Sequence, residues 1–158
     1  MARIFITGAT GWIGRHLVPK LLERDVQLFA LVRNGPGDLP LGVTPIQGDL
    51  SEPGLGLSDA DRRTLDVRRL DHVFHLAALY DMVATEADLT AVNVEGTRRL
   101  LELLDGFQGV LHHASSIAVA GDFDGRFGED DLDRRQRFPS PYHRTKHASE
   151  KLVRESGL

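Results

Sequence analysis

Cysteine is absent from this chain of 158 residues. The absence excludes a disulfide framework, a thiolate nucleophile and a zinc–thiolate site, although it does not identify the cellular compartment. Aromatic residues are few, at 6% of the chain, and no basic block is interleaved with them. Together with a formal net charge of −4, this pattern argues against a nucleic-acid partner.

Long hydrophobic runs are also missing from the sequence. No apolar stretch approaches the roughly 20 residues that span a bilayer, and the first residues lack the charged and apolar regions of a signal peptide. Apolar residues make up 41% of the chain and charged residues 27%, which is ordinary for a globular domain. We therefore expect a soluble cytoplasmic protein without a membrane span, with one domain over residues 1–158.

Strand patterns and helix patterns alternate along the chain. Strand patterns cover residues 3–7, 26–32, 43–47, 71–76 and 109–113, and helix patterns cover residues 12–24, 58–65, 86–104 and a last segment that begins at Pro141 or Tyr142. Strands separated by helices predict a doubly wound parallel α/β sheet. Right-handed crossovers predict the strand order 3-2-1-4-5, with a ligand crevice between strands one and four.

Three glycines follow the first strand pattern at three-residue spacing, in the segment Thr7-Gly8-Ala9-Thr10-Gly11-Trp12-Ile13-Gly14. Glycine permits a sharp turn and a close approach of the backbone to a pyrophosphate. The helix that follows would direct its free N–H groups and the positive end of its dipole at that phosphate. A glycine triplet alone is weak evidence, but here the strand before it and the helix after it predict a dinucleotide site.

A tyrosine and a lysine lie four residues apart on the last helix pattern, at Tyr142 and Lys146. This spacing places both side chains on one helical face. Because a free tyrosine has a pKa of ~10, a nearby cation is needed to bring the phenol into the range of acid–base catalysis. Taken alone, such a pair is more often two surface neighbours.

Two serines, Ser115 and Ser116, follow the fifth strand pattern, at the sheet edge where open α/β sheets bind ligands. A hydroxyl there can donate a hydrogen bond to a substrate oxygen while Tyr142 transfers the proton. The alternative is that both serines only cap backbone groups. The glycine turn, the serines and the Tyr-Lys pair nevertheless occur together in one order, and this conjunction favours an enzyme.

The chain resembles the short-chain dehydrogenase/reductase superfamily in its extended form. The resemblance covers the whole chain and rests on Gly8-x-x-Gly11-x-x-Gly14, Gly48-Asp49-Leu50, His75-Leu76-Ala77-Ala78, Asn93-Val94-Glu95-Gly96-Thr97, Ser115-Ser116 and Tyr142-x-x-x-Lys146. It implies a Rossmann-like fold with Ser116, Tyr142 and Lys146 as catalytic residues. It further implies cofactor contacts from Gly8, Thr10, Gly11, Trp12, Ile13, Gly14, Asp49, Leu50, Leu76, Ala77, Ala78, Tyr142 and Lys146.

The end of the second strand pattern indicates which cofactor is used. NAD-binding domains usually place a carboxylate there to hold the ribose 2′-hydroxyl. This chain has Val32 eighteen residues beyond Gly14, and then Arg33. A guanidinium can pair with a 2′-phosphate, so we expect NADP(H) to be preferred, with NAD(H) as the alternative and Arg33 as a cofactor-binding residue.

The substrate is indicated by residues 121–133, which resemble the loop that precedes the tyrosine helix in the thioester-reductase and fatty acyl-reductase branch. The resemblance implies hydride transfer to an acyl thioester or another carbonyl compound. Tyr80 and Ser115 are candidates for lining the substrate pocket, and Tyr80 is equally suited to packing. Two alternatives stay open: a nucleotide-sugar epimerase or dehydratase, and a non-catalytic domain that senses NADP(H).

The chain ends at or just after the helix that carries Lys146, whereas the resembling family continues with later strands and a substrate-binding region. We therefore expect these later strands to be absent and the isolated chain to show little turnover. By analogy with the family, a homodimer would form through residues 86–104 and 142–155. We expect no metal site, because His112 and His113 alternate along a strand, and the helical pair His143 and His147 lacks the glutamate of a zinc motif.

The cofactor hypothesis predicts a selective effect of the substitution Arg33→Ala. Losing the guanidinium should weaken NADPH binding about tenfold or more, since a charge-assisted hydrogen bond contributes roughly 1.5–3 kcal/mol, and should change NADH binding little. Titrations of both cofactors measure the difference, with Arg63→Ala, a change outside the predicted cofactor residues, as the control. Equal losses for the two cofactors would contradict the assignment of Arg33.

Overall fold

A single parallel sheet organises the computed structural model, which describes residues 1–35, 37–81 and 83–158. Its five strands are β1 (Ala2–Thr7), β2 (Val26–Val32), β3 (Val43–Gln47), β4 (His72–His75) and β5 (Val110–His113). They are arranged in the order β3-β2-β1-β4-β5, with every neighbouring pair parallel. The predicted fold class and strand order are therefore confirmed.

Helices cover both faces of this sheet. They are α1 (Gly14–Leu22), α2 (Asp59–Leu65), α3 (Glu86–Leu89), α4 (Gly96–Leu103) and α5 (Pro141–Glu155), with a π-helical segment, Thr90–Glu95, between α3 and α4. Short 3₁₀ turns lie at Pro53–Gly56, Val67–Arg69 and Ile117–Ala120. No helix within the described ranges has both the length and the apolar character needed to cross a membrane.

Two predicted helices differ from the structure, whereas the strand ends differ from their predicted bounds by at most one residue. The first helix begins at Gly14 rather than at residue 12 and ends at Leu22, because the last residues of the glycine turn precede it. The helix predicted over residues 86–104 is present but contains the π segment. Hydrophobic periodicity does not reveal one widened turn, and such π segments are frequent at functional sites.

The core consists of two layers, one on each face of the sheet. Phe5 of β1 packs with Phe29, Val73 and Leu100 on the face covered by α2 and α4. Ile4 and Ile6, which flank Phe5, point to the opposite layer, together with the residues that α1 covers. Because side chains of a strand alternate between faces, a strand buried on both sides reads as a continuous apolar run.

Capping residues determine where the peripheral helices start. The hydroxyl of Ser58 accepts a hydrogen bond from the backbone N–H of Asp61 at 3.1 Å and caps α2. Thr85 and Asp88 form a reciprocal capping box at the start of α3. Pro141 occupies the first turn of α5, where its missing N–H costs nothing. The start of α5 therefore agrees with the prediction and places Tyr142 in its first turn.

Arg3 ties the first strand to the end of α2. Its guanidinium donates to the carbonyl oxygens of Thr64 at 3.1 Å and Leu65 at 2.9 Å. The same group lies 4.7 Å from the centre of the Phe29 ring. These contacts satisfy carbonyls in the last helical turn, which have no partner inside the helix.

We predict that Arg3→Met lowers the free energy of unfolding by roughly 1–3 kcal/mol, because the carbonyls of Thr64 and Leu65 lose a charged donor. Chemical denaturation of the variant and the parent measures this difference. Arg63→Met is the matched control, since the side chain of Arg63 on α2 is exposed; its effect should stay within about 0.5 kcal/mol. Equal effects at the two arginines would contradict the role of Arg3.

Candidate active site

A crevice of about 850 Å³ opens at the carboxyl edge of the sheet. The turn after β1, the ends of β2 and β3, and the segment after β4 form its walls, as expected between strands one and four. The crevice is lined by these residues from the sequence-based prediction: Gly8, Thr10, Gly11, Trp12, Ile13, Gly14, Arg33, Asp49, Leu50, Leu76, Ala77, Ala78 and Tyr80. The structure thus brings the predicted cofactor residues together, apart from Tyr142 and Lys146.

Glycine is required at two positions of the turn after β1. Gly8 has a φ of 78°, and a Cβ there would lie 2.6 Å from the backbone nitrogen of Ala77. A Cβ on Gly14 would overlap the carbonyl oxygens of Gly8 and Ala9. These contacts bring the turn after β1 against the segment after β4, so the floor of the crevice consists of closely packed backbone.

The amino terminus of α1 faces this turn without a side-chain cap. Ile13, the residue before the helix, makes no capping hydrogen bond, and the first helical turn contains no acidic residue. The N–H groups of Arg15, His16 and Leu17 donate to the carbonyls of Gly11 and Ile13, so the positive end of the helix dipole is what this helix start offers to an anion. Trp12, whose surface is 77% exposed, lies at the mouth of the crevice with its ring 5.3 Å from that of His16.

Gln47 positions the loop that carries Arg33. Its side-chain amide donates to the carbonyl of Arg33 and accepts from the backbone N–H of Gly35 at 3.1 Å. Gln47 is not among the predicted site residues, and the signal that could have found it is a polar residue at the end of a strand pattern. These two hydrogen bonds hold the Arg33 backbone on the crevice wall.

The nearby carboxylate of Asp49 is held by its own turn. It accepts hydrogen bonds from the backbone N–H and the hydroxyl of Ser51, both at 2.8 Å. Burial opposes ionisation of this carboxyl, but the Ser51 hydrogen bonds and the charge of Arg33 outweigh burial and lower the pKa of Asp49. One wall of the crevice therefore carries a guanidinium beside an ionised and internally satisfied carboxylate.

His75 lies at the centre of a buried chain of hydrogen bonds. Its Nδ1 is 2.7 Å from the hydroxyl of Thr7, and its Nε2 is 3.0 Å from the hydroxyl of Thr97. The Thr97 hydroxyl donates to the carbonyl of Asn93 at 2.7 Å, so Nε2 carries the proton and donates to Thr97. Nδ1 then accepts from Thr7, which in turn accepts from the N–H of Ala77 at 3.3 Å.

This arrangement requires a neutral imidazole. Burial, with smaller contributions from His113 and Lys146, lowers the pKa of His75 to about 3. The sequence predicts His75 only as part of the motif His75-Leu76-Ala77-Ala78, without these hydrogen-bond partners. Its partners lie 68 and 22 residues away in the chain, so no local sequence pattern predicts them.

Asn93 in the π segment connects the segment after β4 to α5. Its side-chain oxygen accepts from the N–H of Leu79 at 2.7 Å, and its side-chain nitrogen donates to the carbonyl of Leu79 at 3.0 Å. The same nitrogen lies 3.2 Å from the hydroxyl of Thr145. Asn93 is buried, with 2% of its surface exposed, and its amide is fully used in holding Leu79 and Thr145.

The predicted acid–base pair lies on the first two turns of α5, with Tyr142 on the first turn and Lys146 on the second. The Tyr142 ring meets the Tyr80 ring edge-on, with 4.8 Å between centroids, and Tyr80 lines the crevice. Lys146 is buried, with 3% of its surface exposed, and its ammonium donates to the carbonyl of Ala114 at 2.8 Å. Burial lowers the pKa of Lys146, and the charge of Glu150 opposes that change.

The two serines after β5 differ in what their hydroxyls bind. The Ser116 hydroxyl accepts from the N–H of Ala118 at 3.2 Å and caps the 3₁₀ turn Ile117–Ala120. The Ser115 hydroxyl donates to the carboxylate of Glu150. Both residues line a second cavity of about 910 Å³, whose other walls come from residues 126–131, Arg134, Glu150 and Arg154.

Comparisons with known proteins identify the family. The model of an NAD-binding family whose description reads "Male sterility protein" matches residues 6–41 and 38–158. The chain belongs to this family. The resemblance to the extended short-chain dehydrogenases/reductases is thereby confirmed, including its thioester-reductase and fatty acyl-reductase branch.

Proteins related in sequence to this chain are named as reductases and dehydrogenases. A Drosophila melanogaster protein named as a fatty acyl-CoA reductase is 35% identical over 147 residues, covering 73% of this chain and 28% of that protein. A 3-beta-hydroxysteroid dehydrogenase of Mycolicibacterium neoaurum is 32% identical over 165 residues, covering 97% of this chain and 43% of that protein. The chain thus spans less than half the length of these relatives.

Solved structures of the family share the fold. The terminal R domain from the myxalamid PKS-NRPS pathway superposes with a TM-score of 0.82 at 28% identity, covering 99% of this chain and 45% of that one. MoeE5 in complex with UDP-glucuronic acid and NAD superposes with a TM-score of 0.73 at 32% identity, covering 99% and 50%. The family is therefore one of NAD(P)-dependent oxidoreductases and related epimerases.

The buried histidines predict how stability depends on pH. Burial, with the charge of Lys146, also lowers the pKa of His113 to about 4. An unfolded histidine has a pKa of ~6.5, so the unfolded chain binds more protons than the folded chain between about pH 6.5 and 4. Folding stability should therefore fall on acidification through this window, by about 1.4 kcal/mol per histidine between about pH 7.5 and 5.5.

Urea denaturation at the two pH values measures this loss. His113→Phe should remove about half of it, whereas His16→Asn, a change at an exposed histidine, should leave it intact. A stability that stays constant across the window would show that the two imidazoles are not held neutral by the fold.

Proposed function

We propose that this chain forms the cofactor-binding part of an NADP(H)-dependent reductase that acts on a carbonyl compound or an acyl thioester. The observation that carries the proposal is the position of buried Lys146, one helical turn from Tyr142 and bound to the end of β5. A surface pair would leave the ammonium in water. A buried cation beside a phenol instead serves acid–base chemistry.

The crevice supplies the features that a dinucleotide needs. The close backbone turn at Gly8 and the uncapped start of α1 suit a pyrophosphate. Arg33, held on the crevice wall by Gln47, would pair with a ribose 2′-phosphate through its planar donors. Asp49, Leu50, Ala77 and Ala78 would border the adenine and the channel to the nicotinamide.

The residues of α5 and of the β5 turn would perform the proton chemistry. When bound, the nicotinamide supplies the hydride. The Tyr142 hydroxyl would give its proton to the substrate oxygen, and the Lys146 ammonium would stabilise the phenolate left behind. Ser116 would donate a hydrogen bond to the same oxygen as negative charge develops there.

The relatives favour a thioester among the carbonyl substrates, because one carries the name of a fatty acyl-CoA reductase and another is the R domain of a PKS-NRPS pathway. Tyr80, whose exposed ring packs on Tyr142, and Ser115 would line the substrate side. We further propose that the chain acts as a homodimer.

A nucleotide-sugar epimerase is the second candidate. It is favoured by the similarity to MoeE5, whose structure contains UDP-glucuronic acid and NAD. Because that protein is bound to NAD, the two candidates differ in the expected cofactor. They also differ in ligand, since only the epimerase should bind a uridine nucleotide.

Titration of the 158-residue chain with NADPH and NADH tests the proposal. Trp12, the single tryptophan, lines the crevice, so its fluorescence should report binding directly. We expect at least tenfold tighter binding of NADPH, in line with the contribution of one charge-assisted contact of about 1.4 kcal/mol or more. Lys146→Met should weaken both cofactors, and Lys20→Met, at an exposed position of α1, should weaken neither.

Three outcomes separate the hypotheses. Preference for NADPH without an effect of a uridine nucleotide supports the reductase. Preference for NADH with tighter binding in the presence of UDP-glucuronic acid supports the epimerase. Absence of binding by either dinucleotide to the folded chain contradicts both.

A further inference from the structure

Four side chains of α5 repeat at four-residue spacing and share one face of the helix: Tyr142, Lys146, Glu150 and Arg154. The first two belong to the proposed reaction. Glu150 and Arg154 lie one and two turns further along, on the side of the Ser115–Ser116 turn. The function proposed above leaves both of them without a role.

Glu150 is held between the β5 turn and Arg154. Its carboxylate accepts a hydrogen bond from the Ser115 hydroxyl, and it pairs with the guanidinium of Arg154 at 2.6 Å and 2.9 Å. Only 13% of the Glu150 side chain is exposed. A carboxylate with so little contact to water needs such partners, and here a hydroxyl and a guanidinium satisfy its oxygens.

Among the described residues, Glu150 is the only negatively charged group that acts on Lys146. The titratable groups that act on it are Glu150, one turn away on α5, His75 on β4 and His113 on β5. Both histidines are neutral at physiological pH, since their pKa values are lowered to about 3 and about 4. Glu150 is therefore the carboxylate that counters the cost of burying this ammonium.

We propose that Glu150 is a positioning residue of this site, which holds the Ser115–Ser116 turn and places a negative charge one helical turn from the buried Lys146. This inference rests on the proposed function, because it gives Lys146 and Ser116 their importance. A protonated Lys146 stabilises a phenolate at Tyr142. A fixed β5 turn keeps the Ser116 hydroxyl at a constant distance from that phenol.

Arg154 sets the position of Glu150. Besides its ion pair, its guanidinium donates to the carbonyl oxygens of Glu129 at 2.7 Å and Asp131 at 3.3 Å. Lys151 binds Asp133 in the same loop at 2.9 Å. Because α5 is tied to this loop at several points, the carboxylate of Glu150 is fixed on the side toward Ser115.

Lysine titration by NMR tests the proposal directly on the free chain. The sequence contains three lysines, Lys20, Lys146 and Lys151, so ¹³C-lysine labelling yields three resolvable side-chain signals. In Glu150→Gln, which retains an acceptor for Ser115 but loses the charge, the pKa of Lys146 should fall by about one unit or more. Glu150→Asp should restore most of the difference, and Lys20 is the internal control.

A second variant covers the case in which Glu150→Gln does not fold. Arg154→Gln removes the competing cation while the Ser115 hydroxyl still holds the Glu150 carboxylate, so the pKa of Lys146 should rise above that of the parent. Ser115→Ala removes the hydroxyl and keeps the Glu150 carboxylate, so the Lys146 titration should change little. The β5 turn should loosen, and faster amide hydrogen exchange at residues 115–118 would show this.

An unchanged Lys146 titration in both charge variants would overturn the proposal, as would a turn that is equally protected in Ser115→Ala. These measurements need neither cofactor nor turnover. Failure of the chain to bind NADPH would therefore contradict the proposed function without altering the lysine result, and the two failures are distinguishable.

Discussion

The hydrogen-bond chain through His75 is the constraint on which the rest of the site depends. It runs from the N–H of Ala77 through Thr7, His75 and Thr97 to the carbonyl of Asn93. Each hydroxyl accepts one hydrogen bond and donates another, so the chain has a fixed direction. Removing one member would leave a buried polar group unpaired, at a cost of about 1–3 kcal/mol.

These hydrogen bonds through His75 fix the distance between the ends of β1 and β4, which the crevice requires. Where it ends, the side chain of Asn93 continues to Leu79 and Thr145. The widened π turn that carries Asn93 therefore links both sides of the candidate site: the segment after β4, which lines the crevice, and α5, which carries Tyr142 and Lys146. Rigid elements held by buried hydrogen bonds suit a site whose reacting groups must keep their distances.

Charge is distributed unevenly between these two sides. The crevice side offers positive potential in the open, from the start of α1 and from Arg33. On the α5 side, Lys146 places a positive charge below the surface and next to neutral histidines. An exposed cation suits the binding of a phosphate, whereas a buried one changes the proton affinity of its neighbour. The proposed function thus assigns binding and proton transfer to charges that lie at different depths.

The amino-acid sequence by itself determined the sheet and its ligand edge. The strands at Val26–Val32 and Val43–Gln47 match their predicted bounds, because buried parallel strands read as short apolar runs between turns, and crossover handedness then gives the strand order. The glycine turn and the Tyr-Lys spacing are local patterns as well. Only the tertiary structure decided the partners of His75, the π turn at Asn93 and the placement of Glu150 against Ser115. The contacts of His75 with Thr7 and Thr97, and of Glu150 with Ser115, join residues 22 to 68 positions apart, and side chains so distant meet only after the sheet and its helices have packed.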